Sequence, residues 1–172
     1  MARRTLVAAV VVALVAAACG GEAGPEAPPV GAVETSCSET ACVDHPAGWD
    51  VEVGETYLAF RHPDDPERVV ASVGDVDMAA LVETVGGEWP APPRAAIEAF
   101  WDLIGGGEDA SLDGIETRDD GAIRSEGELE GLRMWHLLVP GFARTGIGVE
   151  VRAPNDSWEA HADVFLGSLR RR

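Results

Sequence analysis

The first nineteen residues most strongly constrain the fold of this chain, because they do not have the pattern of a folded domain. Arg3 and Arg4 give a basic start, residues 5–18 carry no charge, and Cys19 follows directly. A helix needs about 20 apolar residues to cross a bilayer, so this run is too short for a membrane span. We expect residues 1–18 to be an export signal that is removed, which leaves the fold to the residues after it.

The residues that precede Cys19 indicate lipid attachment. Val15 and three alanines lead into the cysteine, and this arrangement resembles the signal of bacterial lipoproteins. The resemblance implies that Cys19 becomes the first residue, carries lipid and holds the chain at the extracytoplasmic face of the cell membrane. An ordinary secretory signal with a chance cysteine is the alternative, and the export route, general or twin-arginine, stays open.

The charge of the chain excludes several classes of partner and chemistry. The 172 residues carry a net charge of −17, and removal of Arg3 and Arg4 makes it two units more negative. Such an excess repels phosphates, so no nucleic-acid partner is expected. Every basic residue is arginine, which excludes Schiff-base chemistry and phosphate-loop lysines. We therefore predict no cofactor.

The chain after the signal divides into a tether and one domain. Residues 19–35 are rich in Gly, Pro, Ala and Glu without periodicity, which predicts a flexible tether. Residues 36–172 are long enough for a single domain. Cys37 and Cys42 open this domain, and in an oxidising compartment the pair predicts a disulfide, with free thiols or a redox pair as alternatives.

Hydrophobic patterning predicts an α+β domain. Short β-branched and aromatic runs, separated by Gly and Pro, indicate strands at 41–43, 49–53, 57–60 and 69–73. Helical spacing predicts a short helix over 78–85, capped by Asp77, and a longer one over 92–104.

The second half of the chain predicts a β-meander followed by a helix. Asp120-Gly121 and Glu130-Gly131 are typical hairpin turns between strands at 114–118, 122–129 and 132–139, and another strand is expected at 146–152. Asp156 and Glu159 form a capping box for the last helix. Its core face is predicted to be Trp158, Ala162, Phe165 and Leu169.

Two signatures at opposite ends of the domain resemble a known superfamily. His45-Pro46-Ala47-Gly48-Trp49 is similar to the opening motif of PsbP/Mog-type domains, a group that includes actinobacterial lipoproteins of the LpqN kind. Residues 157–170, which close on Ser168-Leu169-Arg170, are similar to the terminal helix of that group. The resemblance implies a curved antiparallel β-sheet flanked by helices and an accessory or interaction role. It supplies no active-site signature.

The four histidines are the main candidates for chemistry. His45 and His62 precede prolines and lie near acidic residues, so a surface metal site is conceivable, although the polarity of loops explains them as well. His136 is expected to be a hydrogen-bonded histidine inside a sheet. His161 is expected to face solvent. We therefore assign no catalytic residue and no metal ligand.

Glu126, Glu128 and Glu130 alternate along a predicted strand and are expected to share one wet face. That face is either an ordinary solvated surface or a site for a cation or a basic partner.

The sequence thus favours a lipid-anchored binding or interaction module of the cell envelope, attached to the membrane through Cys19. Its partner would be an envelope protein or a small apolar ligand. Two alternatives remain: an envelope hydrolase that uses His136 or the His45 and His62 region, and a carrier with an apolar pocket.

Overall fold

The computed structural model describes residues 24–105 and 110–172, so the predicted signal and Cys19 lie outside the described residues. The described part contains three α-helices, α1 (Met78–Thr84), α2 (Pro93–Ile104) and α3 (Glu159–Ser168), and a 3₁₀ turn at Asp156–Trp158. Its strands are β1 (Val33–Cys37), β2 (Ala41–Pro46), β3 (Asp50–Val53), β4 (Tyr57–Arg61), β5 (Val70–Asp77), β6 (Ala110–Thr117), β7 (Ile123–Leu129), β8 (Leu132–Pro140), β9 (Thr145–Ala153) and β10 (Arg170–Arg171).

Seven strands form one open antiparallel sheet in the order β3-β4-β5-β9-β8-β7-β6. A smaller antiparallel sheet has the order β1-β2-β10. This architecture confirms the predicted α+β class, an antiparallel sheet flanked by helices.

The hairpin between β7 and β8 follows the turn chemistry of its sequence. Leu129 pairs with Leu132, and the two residues between them, Glu130 and Gly131, have φ angles of 51° and 76°. Two consecutive positive φ values define the tight turn that matches the twist of paired strands. The predicted Glu130-Gly131 turn is confirmed, although Glu130 belongs to the turn and not to the strand.

The large sheet is buried on both faces along β8. Trp135 and Leu137 point to the face that packs against α3 and the small sheet. Met134 and Leu138 point to the opposite face, which packs against α1 and α2. Burial of each such side chain contributes about 1.5–3 kcal/mol. A strand buried on both sides has a continuous apolar run, which explains the sequence of β8.

The predicted cap of α1 is confirmed, whereas the predicted cap of the last helix is wrong. The Asp77 side chain accepts a hydrogen bond from the Ala80 amide, as predicted for α1. Asp156 does not cap the last helix. The helix α3 begins after Trp158 without a side-chain cap, and the 3₁₀ turn that precedes it is capped by Asn155, whose Oδ1 accepts from the Ser157 amide.

The domain begins earlier than its predicted first residue, 36. Strand β1 starts at Val33 and pairs with β2 along its whole length, so the last three residues of the predicted tether belong to the small sheet. A charge and hydroxyl groups in β1 hide its strand pattern, because most of its side chains face solvent. The predicted disulfide between Cys37 and Cys42 is present and joins a directly paired position of β1 and β2.

Within residues 24–105 and 110–172, no helix is long and apolar enough to cross a membrane.

Candidate functional site

The histidines lie inside the fold, which corrects two expectations. His45 belongs to β2 and is fully buried, and His62 is buried directly after β4, so neither is a polar loop residue at the surface. His161 was expected to face solvent, but only 3% of it is exposed. It lies beside Ala162 and one turn from Phe165 on the buried side of α3, a position that the narrow predicted core stripe excluded.

Both ring nitrogens of His45 are occupied by the protein. Nδ1 donates to the Pro46 carbonyl at 3.1 Å, and Nε2 accepts from the Ser36 hydroxyl at 3.0 Å. The ring also packs on Phe60 with centroids 4.9 Å apart. A ring in this state has no lone pair left for a metal. The structure therefore does not support the conceivable metal site at His45.

Four aromatic rings form a closed cluster at the edge of the sheet: Trp49, His62, Trp158 and His161. Neighbouring centroids lie 4.9–6.4 Å apart around the ring of four. Burial lowers the pKa of His161, and the nearby His62 lowers it further. The His62 Nδ1 accepts from the Asp64 amide at 3.2 Å. The cluster packs the 3₁₀ turn and α3 against β3 and β4.

In the part of the chain that the structure describes, no group of three or more His, Cys, Asp or Glu residues is placed to hold a metal ion.

His136 is the most perturbed of the histidines. Its ring stacks on Phe100 of α2, with centroids 4.7 Å apart and planes 11° apart. Burial lowers the pKa of His136 to about 4, and Glu150, its cross-strand partner, opposes the shift. Among the described residues, Nδ1 has no hydrogen-bond partner. The expectation of a hydrogen-bonded sheet histidine is therefore wrong for this nitrogen.

The arrangement around His136 lacks the geometry of a hydrolase triad. Ser72 pairs with Glu150, and Glu150 pairs with His136, so the carboxylate lies between the hydroxyl and the imidazole. Two strand spacings separate Ser72 from His136, roughly 10 Å. A nucleophile and its base need hydrogen-bond contact. Glu150 instead accepts from Arg152 at 2.5 Å.

The predicted acidic face is occupied by internal ion pairs. Glu126 pairs with Trp135 and therefore points to the face that α3 covers. Arg124 binds Asp163 at 3.0 Å on this face, and Arg133 binds Asp156 at 2.6 Å. These ion pairs engage Asp163 and Asp156 and not the three glutamates of the predicted face. Glu126 is half-buried, whereas Glu128 and Glu130 are exposed, so the predicted face is wet only in part.

Among the described residues, no helix packs on one half of the opposite face. The helices α1 and α2 pack over β6, β7 and β8, whereas polar and small residues cover the other half. We call this half the open face. It is formed by residues of β3, β4, β5 and β9: Asp50, Glu52, Tyr57, Ala59, Arg61, Val70, Ser72, Glu150 and Arg152.

Charges on the open face compensate each other. The Tyr57 hydroxyl donates to Glu52 at 2.7 Å, and Arg61 lies 3.6 Å from the same carboxylate. Arg152 pairs with Glu150. The floor between these two groups consists of the small residues Ala59 and Ser72. The open face is thus close to neutral on a strongly acidic chain.

The two signatures of the sequence meet in space. Ser168 Oγ accepts from the Asp44 amide at 2.8 Å, and Arg170 binds the Asp44 carboxylate at 2.7 Å. The hydrogen bond from Arg170 lowers the pKa of Asp44 to about 2, with help from Thr35. The closing Ser-Leu-Arg segment therefore binds Asp44 of β2, the residue next to His45.

A recess lined by β6 and β7 is smaller than a typical ligand pocket. Its volume is about 160 Å³, and its lining includes Glu116, Arg124 and Glu126. Pockets for drug-sized ligands usually measure roughly 300–1,000 Å³ and are mostly apolar. This recess does not support the apolar-ligand carrier.

No protein-family model matches the chain, and no curated protein matches it. Solved structures do. The chain has a PsbP-like α+β fold: the solution structure of cyanobacterial PsbP (CyanoP) from Synechocystis sp. PCC 6803 matches it with a TM-score of 0.56. The match covers 91% of this chain and 98% of that chain at 13% sequence identity. This likeness concerns the fold.

A crystal structure from Bacteroides thetaiotaomicron VPI-5482 matches with a TM-score of 0.40 and 18% identity, over 77% of this chain and 45% of that chain. It is too distant to inform the fold.

The open face is the candidate site that sequence patterns missed. Within each predicted strand, alternation shows which residues share a face, and it assigns Glu52, Ala59 and Ser72 to the less apolar face of their strands. Only the pairing of β5 with β9, more than seventy residues apart, brings Glu150 and Arg152 next to them.

Proposed function

We propose that this chain is a lipid-anchored, non-catalytic interaction module on the extracytoplasmic face of the cell membrane, and that it binds a protein partner through the open face. The observation that carries the proposal is the half of the large sheet on which no described helix packs and where arginines offset most of the carboxylates. The PsbP-like fold and the signal-like residues before Cys19 support the module and its anchor.

The chemistry of the open face favours a protein as the partner. Tyr57, Arg61 and Arg152 belong to the residue types that contribute most at protein interfaces. The small residues between them leave a flat floor, which suits a broad protein contact. On this face Arg61 and Arg152 offset two of the three carboxylates, which reduces the repulsion that the acidic remainder would exert on another acidic protein.

Site-specific photo-crosslinking in the native host tests the interaction. A photoreactive amino acid replaces Ser72, which is exposed at the centre of the open face, and the control replaces Val85, which is exposed at the end of α1. We expect a discrete protein adduct from position 72 and none from position 85. Equal labelling at both positions, or none at position 72, would refute the open face as the docking site.

Substitution then tests the affinity for the crosslinked partner. Tyr57→Ala and Arg152→Ala are each expected to weaken binding by roughly tenfold or more, the range of interface hot spots. Val85→Ala should leave binding unchanged.

The anchor is tested separately by intact mass and fractionation. The native protein should carry a diacylglyceryl mass on Cys19. The Cys19→Ala variant should leave the membrane fraction while its domain stays folded, because the first strand, β1, starts only at Val33. Retention of the variant in membranes would refute lipid anchoring.

A further inference from the structure

Residues 24–27 are docked onto the 3₁₀ turn, although the sequence predicts a tether there. The Asn155 side chain donates to the Gly24 carbonyl at 3.0 Å, and the Trp158 indole donates to the Pro25 carbonyl at 3.3 Å. The Ala27 amide donates to the Ser157 hydroxyl at 2.8 Å. Ala27 also packs against the core of the α3 side. We call this segment, residues 24–27, the docked segment.

Packing around Gly24 shows that this contact is close. A Cβ atom on Gly24 would collide with the ring of Pro154, whereas a Cβ atom on Gly31 would meet nothing within 4 Å. The docked segment therefore lies directly against the chain that leaves β9.

Docking limits the distance between Cys19 and the first contact of the chain with the domain. Five peptide units separate Cys19 from Gly24, and a fully extended chain of this length spans at most about 18 Å. A free tether of residues 19–35 would instead have a root-mean-square span of roughly 20–25 Å and could point in any direction.

The docked segment also lies at one particular end of the molecule. We call it the near end, formed by residues 154–158 and the loop 62–69 after β4, since Arg61 and Val70 align with Arg152 at the end of β9. Strand β9 runs from Thr145 to Ala153, a length of about 27 Å. The turn that contains Phe142 lies beyond Thr145 at the opposite end, and Phe142 is 91% exposed.

We propose that the docked segment orients the domain on the membrane, with the near end toward the lipid surface and the Phe142 turn away from it. This inference rests on the proposed lipid anchor at Cys19. Because the strands run from the near end to the far end, this orientation places the open face to the side, where a neighbouring membrane protein can reach it.

Fluorescence quenching by nitroxide-headgroup lipids in phosphatidylcholine vesicles tests the orientation with the full lipidated chain. Cys37 and Cys42 are joined, so a fluorophore attaches to an introduced thiol. Glu67→Cys labels the near end and Phe142→Cys labels the far end, both at exposed positions. We expect quenching at position 67 to be stronger by roughly twofold or more, given the ~27 Å between the ends.

A variant with a longer linker between Cys19 and the docked segment provides the matched comparison. In this variant, about twenty Gly and Ser residues are inserted directly after Gly21, so the linker becomes longer and flexible while the domain is unchanged. The insertion should abolish the difference in quenching. The same insert placed after Arg172 should leave the difference intact. Equal quenching at both positions of the original chain, or stronger quenching at position 142, would overturn the orientation while the anchor stands. Failure of the chain to float with vesicles would overturn the anchor and this inference together.

Hydrogen exchange tests the docked segment without a membrane. Gly24→Ala should accelerate exchange of the Ala27 amide by at least roughly tenfold, because the collision with Pro154 displaces the segment. Gly31→Ala should not change it. Unprotected Ala27 in the original chain would refute the docking on which the orientation depends.

Discussion

His136 makes the stability of this domain depend on pH. Its ring is buried against Phe100, and its folded pKa of about 4 lies below the 6.5 of a free histidine. The unfolded chain therefore binds a proton more readily between pH 6.5 and 4, so stability falls as the pH drops through this range.

We predict that His136 contributes about 2 kcal/mol to the loss of unfolding free energy between pH 7 and pH 4.5. His136→Leu should remove this part of the pH dependence. Urea unfolding of both proteins at the two pH values measures it, and identical pH dependence of the variant and the original chain would contradict the assignment.

The ion pair between Asp44 and Arg170 shifts the pKa of a second group. Arg170→Ala should raise the pKa of Asp44 from about 2 toward 3.8, because the strongest cause of the shift is the Arg170 hydrogen bond. Arg171→Ala serves as the control, since Arg171 donates to the Val139 carbonyl and not to Asp44. Titration of the Asp44 carboxyl by NMR distinguishes the two variants.

At the scale of elements, the contact of α2 with β7 depends on Gly127. A Cβ atom there would collide with the Ser111 carbonyl oxygen and lie 2.7 Å from the Trp101 ring. The Trp101 indole also donates to the Ser125 hydroxyl at 3.0 Å on the same strand. A side chain at 127 would therefore separate both the helix and β6 from β7.

Gly127→Ala should lower the free energy of unfolding by about 1–3 kcal/mol, the usual effect of overpacking. Gly114→Ala on the neighbouring strand is the matched control, because its Cβ would meet no atom within 4 Å. Chemical unfolding of the two variants gives the comparison; equal stability would show that the sheet accommodates the extra methyl group.

At the scale of the whole molecule, the docked segment connects the chain start with the last turn before α3. The protein that lacks residues 1–23 keeps the contacts of the docked segment and gives the reference value of the unfolding free energy. Deletion of residues 1–31 should lower it by about 1–2 kcal/mol, since it removes the hydrogen bonds to Asn155, Ser157 and Trp158. Urea titration of both truncated proteins measures the difference.

Much of the fold follows from local sequence patterns. Strand alternation, the Asp77 cap and the Glu130-Gly131 turn depend on residues close in sequence, so the helices α1 and α2 and the meander β7–β8–β9 were predicted with nearly correct bounds. The strand β1 was not predicted, because its stability comes from pairing with β2 and not from its own apolar residues.

The surroundings of the histidines and of the acidic strand face were less predictable for the same physical reason. The sequence shows that His45, His62, His136 and His161 exist, but their burial depends on rings contributed by distant elements, such as Phe100 for His136 and Trp49 for His161. Likewise, Glu126 shares its strand face with Arg124, which binds Asp163 of α3, so the face that alternation predicted to be wet is wet only in part.

By itself, the sequence determined the α+β class, the signal-like start before Cys19 and the spacing of the Cys37 and Cys42 pair, because each depends on covalent order or on neighbouring residues. Only the tertiary structure decided which half of the sheet stays open and where residues 24–27 dock. Both are set by contacts between residues seventy or more positions apart, whose pairing is selected by packing of the whole core and not by any local pattern.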